Sequence, residues 1–172
     1  MNKNNNILDR LGQLSNKERA ALKREAGKCM ANASSLALSV FFHTAPPELN
    51  RHQQECWFTA MTLACLWNVE ETHVRDNMAV MLRKYAKKQE TKGMDRRIRA
   101  LLDTRWEDDG YLTGKLSRLA RMLRNDNPHI MPNVDRLLDD LLHWNSASRY
   151  VQLRWAQHFY QTDISETQSE EE

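Results

Sequence analysis

The sequence predicts an all-α protein: two small helical bundles joined by a short basic linker and followed by a disordered acidic tail. Three observations carry that prediction. Only 5 Gly and 4 Pro punctuate 172 residues, too few for the tight turns of a sandwich or barrel. No alternating, period-2 run of useful length occurs, and apolar residues instead recur at helical spacing along most of the chain. The 41% hydrophobic fraction suffices for one good core or two small ones.

Residues 7–14 read as a short helix with Ile7, Leu8, Leu11 and Leu14 on one side. Ser15 and Glu18 make a capping box that opens a second helix, and Gly27 is its expected terminator. Residues 34–43 are small and apolar until Pro46-Pro47 force a break. Asn50 caps a helix running to about Trp67. That helix is apolar almost all round, through Cys56, Trp57, Phe58, Met61, Leu63, Ala64, Cys65 and Leu66, the pattern of a buried bundle centre. A further helix is expected over about residues 71–88, with Val74, Met78, Met81, Leu82 and Tyr85 at helical spacing. Lys87 to Lys92 holds no apolar residue and ends at Gly93. It marks a boundary between an N-terminal helical domain, residues 1–88, and a C-terminal one, residues 94–162.

In the second half, residues 94–103 place Met94, Ile98, Leu101 and Leu102 on one face. Residues 110–124 do the same with Leu112, Leu116, Leu119 and Leu123. Glu107-Asp108-Asp109 precede the latter helix, where acids suit the positive end of its dipole. Pro128 and Pro132 bracket a turn, and Asn133 caps a helix with Val134, Leu137, Leu138, Leu141 and Leu142 inward. Ser146 opens a last helix to about Tyr160. It carries Val151, Trp155 and Phe159 on one face and Tyr150, Leu153 and Tyr160 on another, and burial of both within the chain is expected. Residues 163–172, acidic and rich in Ser and Thr, are expected to be disordered.

Most chemistry is excluded early. Cys29, Cys56 and Cys65 are widely spaced and form neither a disulfide framework nor a CxxC pair, which fits a reducing, cytoplasmic setting. No signal region or membrane-length apolar stretch occurs. His43, His52, His73, His129, His143 and His158 make no HxxxH pair. His52 and Cys56, four apart, read as a buried Cys beside a first-turn His rather than as metal ligands. GxSxG and phosphate-loop motifs are absent from the sequence. Asp139 and Asp140 point about 100° apart on a helix, so they read as a solvated face rather than a Mg²⁺ or acid–base pair. No catalytic residue, metal or cofactor is expected, and the chain does not read as an enzyme.

The basic residues say more. The net charge of +2 hides an asymmetry: residues 163–172 hold five acids and no base, leaving +7 on residues 1–162. Residues 83–124 hold 13 Lys/Arg against 6 Asp/Glu, so that stretch alone carries the excess. With Leu116 set at 0°, the other three leucines of the 110–124 stripe fall within about 60° of it. Arg118 and Arg121 then land opposite, flanked by Lys115 and Arg124, with no acid among residues 111–124. On the 94–103 helix Arg96 points away from the Ile98 face, and Arg97 and Arg99 flank it. Solvated helices usually mix charges to gain i,i+4 pairs. Two neighbouring helices with one-signed outer faces point instead to a polyanion. Arg51, in a first turn where a cation opposes the dipole, would form an anion pocket with His52 and the free N–H groups. The alternatives are a solvent-screened Arg or a pair with Glu55.

Several segments recur together in a known family. They are Leu49-Asn50-Arg51-His52-Gln53-Gln54, Asp95-Arg96-Arg97-Ile98-Arg99-Ala100-Leu101-Leu102 and Leu119-Ala120-Arg121-Met122-Leu123. After them come Asp135-Arg136-Leu137-Leu138-Asp139-Asp140-Leu141-Leu142-His143-Trp144 and Arg154-Trp155-Ala156-Gln157-His158-Phe159-Tyr160. In this order they resemble the CasB family, the small subunit of type I-E CRISPR Cascade complexes, over about residues 49–54 and 94–160. The resemblance implies a two-domain, all-helical protein without enzymatic activity, acting in antiviral defence. It implies a pair of copies beside the repeated backbone subunits of an RNA-guided complex, binding nucleic acid without sequence preference and stabilising the R-loop and displaced strand. The implied partners are other Cascade subunits, the CRISPR RNA, the target and displaced DNA strands and a second copy of the chain. The positions matching the family's basic contacts are Arg51, Arg96, Arg97 and Arg121, and by neighbourhood Lys23, Arg24, Arg118 and Arg149. The charge pattern adds Arg99, Lys115 and Arg124. Two other readings stay open. A helix-turn-helix regulator is disfavoured by the roughly six-residue connection from Thr104 to Asp109, longer than the usual tight turn. A helical protein-interaction adaptor would use the Trp-rich surfaces.

Overall fold

Short polar side chains set most of the helix starts. In the computed structural model, which describes residues 6–67, 76–89, 93–107 and 110–161, Asn6, Ser15, Ser34, Asn50 and Asn133 each accept a hydrogen bond from a backbone N–H in the first turn of the helix they precede. These caps satisfy donors that the helix itself leaves unpaired. Ser15 with Glu18 and Asn50 with Gln53 close full capping boxes.

Among the described residues there are nine α-helices and no strand: α1 (Ile7–Gly12), α2 (Asn16–Arg24), α3 (Ser35–Thr44), α4 (Arg51–Ala64), α5 (Met78–Gln89), α6 (Met94–Leu102), α7 (Tyr111–Asp126), α8 (Val134–Leu142) and α9 (Tyr150–Tyr160). The all-α class therefore holds. None of these helices is long and apolar enough to cross a membrane.

Helix α4 is buried on every side from Glu55 to Ala64. It lies against α2, α1 and α8, while α5 lies against α9 and α7, and α6 against α7 and α9. The buried apolar residues form one continuous cluster from Ile7 and Leu11, through Phe58 and Met61, to Trp144 and Trp155. Two polar ties accompany it: Ile7 N–H donates to Asp135 Oδ1 (3.2 Å), and Asn133 N–H donates to the Asp76 carbonyl (2.8 Å). The boundary expected near residues 87–93 falls between α5 and α6. Residues 90–92 and the acidic segment 163–172 lie outside the described residues.

Several sequence expectations are corrected. Helix α5 starts at Met78, not near residue 71: Asp76 and Asn77 are non-helical, and Asn77 Oδ1 accepts from Val80 N–H (2.9 Å), the geometry of a cap. The N-cap position of α7 is Gly110 (φ 77°), with no side-chain cap hydrogen bond. Asp108 and Asp109 lie outside the described residues. Helix α9 starts at Tyr150 rather than Ser146, because Ser146 Oγ turns to Ser148 Oγ (3.0 Å) and Arg149 adopts φ 52° before the helix begins.

Asp140 is not on a solvated face. Its carboxylate is buried and takes the Trp155 Nε1–H (2.6 Å) and the Arg154 guanidinium. The 100° between neighbours leaves Asp139 exposed and turns Asp140 inward. Burial of both apolar faces of α9 also fails. Val151 and Trp155 are buried, but Leu153 is 66% exposed and Tyr150 and Tyr160 are exposed as well.

Candidate nucleic-acid interface

The leucine stripe of α7 and the Met94, Ile98 and Leu101 face of α6 sink into the core. The opposite faces of both helices are thereby turned out. Between them opens a groove of about 740 Å³, floored by Gly93, Ala100, Leu119 and Met122 and walled by Arg96, Arg97, Lys115, Arg118 and Arg121. Among the described residues, five cations line it and no carboxylate does. Ala100, the one small residue in the arginine-rich stretch of α6, leaves the space that a longer side chain would fill.

Local contacts hold three of the cations in place without neutralising them. Arg97 Nη1 lies 2.8 Å from Met122 Sδ. Lys115 Nζ sits 4.5 Å from the centre of the Tyr111 ring, a favourable cation–π arrangement one helical turn apart. Arg121 Nε donates to Ser117 Oγ (3.3 Å), and its Nη2 to the Ala26 carbonyl (3.4 Å). Arg96 and Arg118 are exposed and make no hydrogen bond or ion pair among the described residues. Five like charges around one concavity raise a positive potential there, and an anion relieves their mutual repulsion.

The end of α2 is pinned to the same helix. Ser117 Oγ–H donates to the Ala26 carbonyl (3.1 Å), and Gly27 (φ 100°) packs so tightly that a Cβ there would lie 2.9 Å from Ser117 Cβ. Only glycine meets both demands. Lys23, half-buried, and Arg24, exposed, lie on the last turn of α2, just before this contact.

The remaining sequence candidates stand apart. Arg99 and Arg149 share a second groove, between α6 and α9, with Asp103 and Leu153. Arg99 pairs with Asp95 (2.7 Å), while Arg149 donates to the Leu102 carbonyl (2.8 Å) and lies 3.9 Å from Asp103. Both are thus partly compensated. Arg124 is half-buried on the last turn of α7, outside either groove. Arg51 is exposed in the first turn of α4. Its neighbour His52 turns to the protein instead of an anion: Nε2–H donates to the Leu142 carbonyl (3.4 Å), and the ring stands edge-on to Trp106 at 5.9 Å. Glu55 is buried and accepts from Met30 N–H (3.1 Å).

Cys56 is fully buried, 3.6 Å from His52 Nε2, and burial pushes its thiol up to about 12. Cys56 is thus a buried thiol beside a histidine in the first turn of α4. Among the described residues no cluster of three His, Cys, Asp or Glu has the arrangement of a metal site.

Sequence reasoning missed Tyr111 and Met122 as members of the groove. Tyr111, four residues before Lys115, carried a readable i,i+4 signal. Met122 carried none, since its role depends on where α6 lies.

The family model for CRISPR-associated protein Cse2 matches residues 18–160. A curated relative, the CRISPR-associated protein Cse2 of Thermus thermophilus, is 51% identical over 37 residues, which span 22% of this chain and 22% of that protein. The crystal structure of a Cse2-family protein from Thermus thermophilus superposes with a TM-score of 0.74 at 26% identity, covering 93% of this chain and 99% of that one. The structure of M. ruber CasB gives 0.71 at 22% identity, covering 94% of each chain. A chain in a structure described as a CRISPR RNA-guided surveillance complex shares the fold at 0.67, with 19% identity over 89% of this chain and 86% of that chain. With the family model matched over all but the first 17 and last 12 residues, the chain belongs to the CRISPR-associated protein Cse2 family.

Proposed function

We propose that this chain is the non-catalytic small subunit of an RNA-guided CRISPR surveillance (Cascade) complex, and that its α6–α7 groove holds nucleic-acid backbone without sequence preference, stabilising the R-loop and the displaced strand. One observation carries the reading: Arg96, Arg97, Lys115, Arg118 and Arg121 converge on an open groove whose lining, among the described residues, contains no carboxylate. Guanidinium forks match phosphate oxygens in a bidentate way. Such contacts position a strand without reading its bases, as a subunit needs when guide–target pairing supplies the sequence. Because R-loop formation is nearly balanced, a few backbone contacts tip it. Membership of the Cse2 family and the fold shared with a chain of a surveillance complex support the assembly.

The partners on this reading are other Cascade subunits, the CRISPR RNA, the target and displaced DNA strands and a second copy of the chain. Lys23, Arg24, Arg51, Arg99, Arg124 and Arg149, which lie outside that groove, are further contacts on this reading.

The test is to assemble Cascade with and without the chain and follow R-loop lifetime and single-strand-specific probing of the displaced strand. Without the chain, the complex is expected to keep its guide but lose the opened duplex sooner. Adding the wild-type chain restores protection, whereas a variant with Arg96, Arg97, Arg118 and Arg121 each changed to Glu does not. Equal R-loop lifetimes with and without the chain, over a range of salt, would overturn the proposal.

A further inference from the structure

We infer that the acidic segment 163–172 of the same chain docks in the α6–α7 groove and competes there with nucleic acid. The consequence for nucleic acid rests on the function proposed above; the contact itself does not. Three observations carry it.

The first is where the described chain ends. Tyr160 Oη–H donates to Asp95 Oδ1 (2.8 Å), and Arg83 Nη1 donates to the Gln161 carbonyl (2.6 Å). Asp95 is in the first turn of α6, directly before Arg96 and Arg97, so the described chain ends, at Gln161, beside the groove wall. The second is reach. A helix with its side chains is about 10–12 Å across, and an extended chain covers about 3.3–3.6 Å per residue. The five residue steps from Gln161 to Glu166 give enough length to cross α6, with six residues still to follow.

The third is charge. Asp163, Glu166, Glu170, Glu171 and Glu172 come with no base among residues 163–172, and the groove offers five cations with no carboxylate among the described residues of its lining. Tethering raises the effective concentration of such a segment to the order of millimolar. An acidic peptide of millimolar affinity would then fill the groove for half the time or more, weakening competing ligands by about 2- to 10-fold. A nucleic acid, with one charge per nucleotide along a longer track, displaces it.

The contact is tested without nucleic acid. A nitroxide is placed on Ser169→Cys in the otherwise intact, isotopically labelled chain. The native Cys29, Cys56 and Cys65 are buried, and the unsubstituted chain treated with the same reagent is the control. At low salt the expected result is broadening of the backbone amides of Arg96, Arg97, Arg118 and Arg121, with α3 unaffected and the effect lost at about 0.5 M salt. No broadening in α6 and α7, or equal broadening in α3, would overturn the inference.

The consequence is tested with a 20-residue oligothymidine. A chain stopped after Gln161, and a full chain with all five acids changed to Asn or Gln, are both expected to bind it about 3- to 10-fold more tightly at low salt. Within an Arg118→Gln, Arg121→Gln background the gain should shrink to less than about twofold, since the segment then loses its seat. An undiminished gain in that background means that whole-chain charge is responsible, which overturns the competition. If the nitroxide broadens the groove while oligothymidine ignores the groove arginines, the docking stands and the nucleic-acid reading falls. If oligothymidine needs those arginines but the nitroxide broadens nothing there, the reverse holds.

Discussion

Helix α5 and the α6–α7 pair belong to one run of positive charge in the sequence, yet the fold treats their cations in opposite ways. On α5, Lys84 meets Asp76 and Lys88 meets Asp126, each at 2.8 Å, and the Lys88 hydrogen bond holds the Asp126 carboxyl below its ordinary range. In the α6–α7 groove, none of the five cations makes an ion pair among the described residues. A charge count over residues 83–124 cannot separate the two sets, because Asp76 and Asp126 lie outside that window. Among the described residues, the fold pairs these lysines with carboxylates and gives the groove cations none.

That contrast can be broken directly. Changing Arg96, Arg97, Arg118 and Arg121 together to Gln is expected to weaken single-stranded DNA binding on the order of 100-fold at about 0.1 M salt. The log–log salt slope should fall by about 2.8, or about 0.7 per lost phosphate contact. The folded chain should be little altered, since exposed substitutions usually move stability by about 0.5 kcal/mol or less. Lys84→Gln with Lys88→Gln, two cations removed from the paired set, should change DNA affinity less than about twofold, because those lysines already have partners. Fluorescence anisotropy across a salt series measures both. Equal losses from the two variants would mean that net charge, and not the groove, governs binding.

A second, smaller effect concerns the charge that the fold does bury. Burial raises the Asp140 carboxyl above its ordinary range, against the Trp155 and Arg154 hydrogen bonds that pull it back. Asp140→Ala leaves the buried Trp155 N–H without its acceptor, while Arg154, 40% exposed, can turn to water. The expected cost is about 2–3 kcal/mol, below that of breaking a fully buried pair, with Asp140→Asn milder because an amide oxygen still accepts from Trp155. Chemical denaturation measures it. A loss below about 0.5 kcal/mol would show that the α8–α9 junction does not depend on this carboxylate.

The two regions also differ in how far the sequence foretold them. The stripe Leu112, Leu116, Leu119 and Leu123 fixes which face of α7 is buried, so the outward turn of Arg118 and Arg121 was legible from periodicity alone. The groove was not. It depends on the separation of α6 and α7 and on Ala100 facing the gap, and neither leaves a mark in a single sequence. Asp140 was misread because adjacency says only that two neighbours point apart. Its partners Arg154 and Trp155 are 14 and 15 residues away, on another helix. Ser146 looked like a cap, but a cap works only where the next residues can turn helical, and Arg149 at φ 52° prevents that. Leu153 lies beside a groove rather than beneath a helix, a fact of packing that its spacing with Tyr150 could not reveal.

The smallest expected effect lies on the paired side of the molecule, where α5 meets α9. Asn77 Nδ2 lies 2.6 Å from His158 Nδ1, and Asn77 Oδ1 already accepts from Val80 N–H. The amide therefore donates to an unprotonated Nδ1, and a proton there would break the contact. Burial lowers the His158 pKa below its ordinary 6.5, and the cations Arg154, Arg136 and Arg83 lower it further, opposed by Asp140. The unfolded chain thus takes up the proton at a pH where the folded chain still refuses it. In that window the unfolded state binds more protons, so stability falls as pH falls. The loss begins as pH drops through about 6.5 and is complete below the folded value. Thermal melts at pH 7.5 and 5.5 should show a decline of a few degrees in the wild type that shrinks in His158→Gln. Identical declines in both would remove His158 from the pH response. Guanidinium groups stay charged across this range, so the salt slope of DNA binding should be the same at both pH values. A slope that changed with pH would place a titrating group in the groove and blur the division between the two regions.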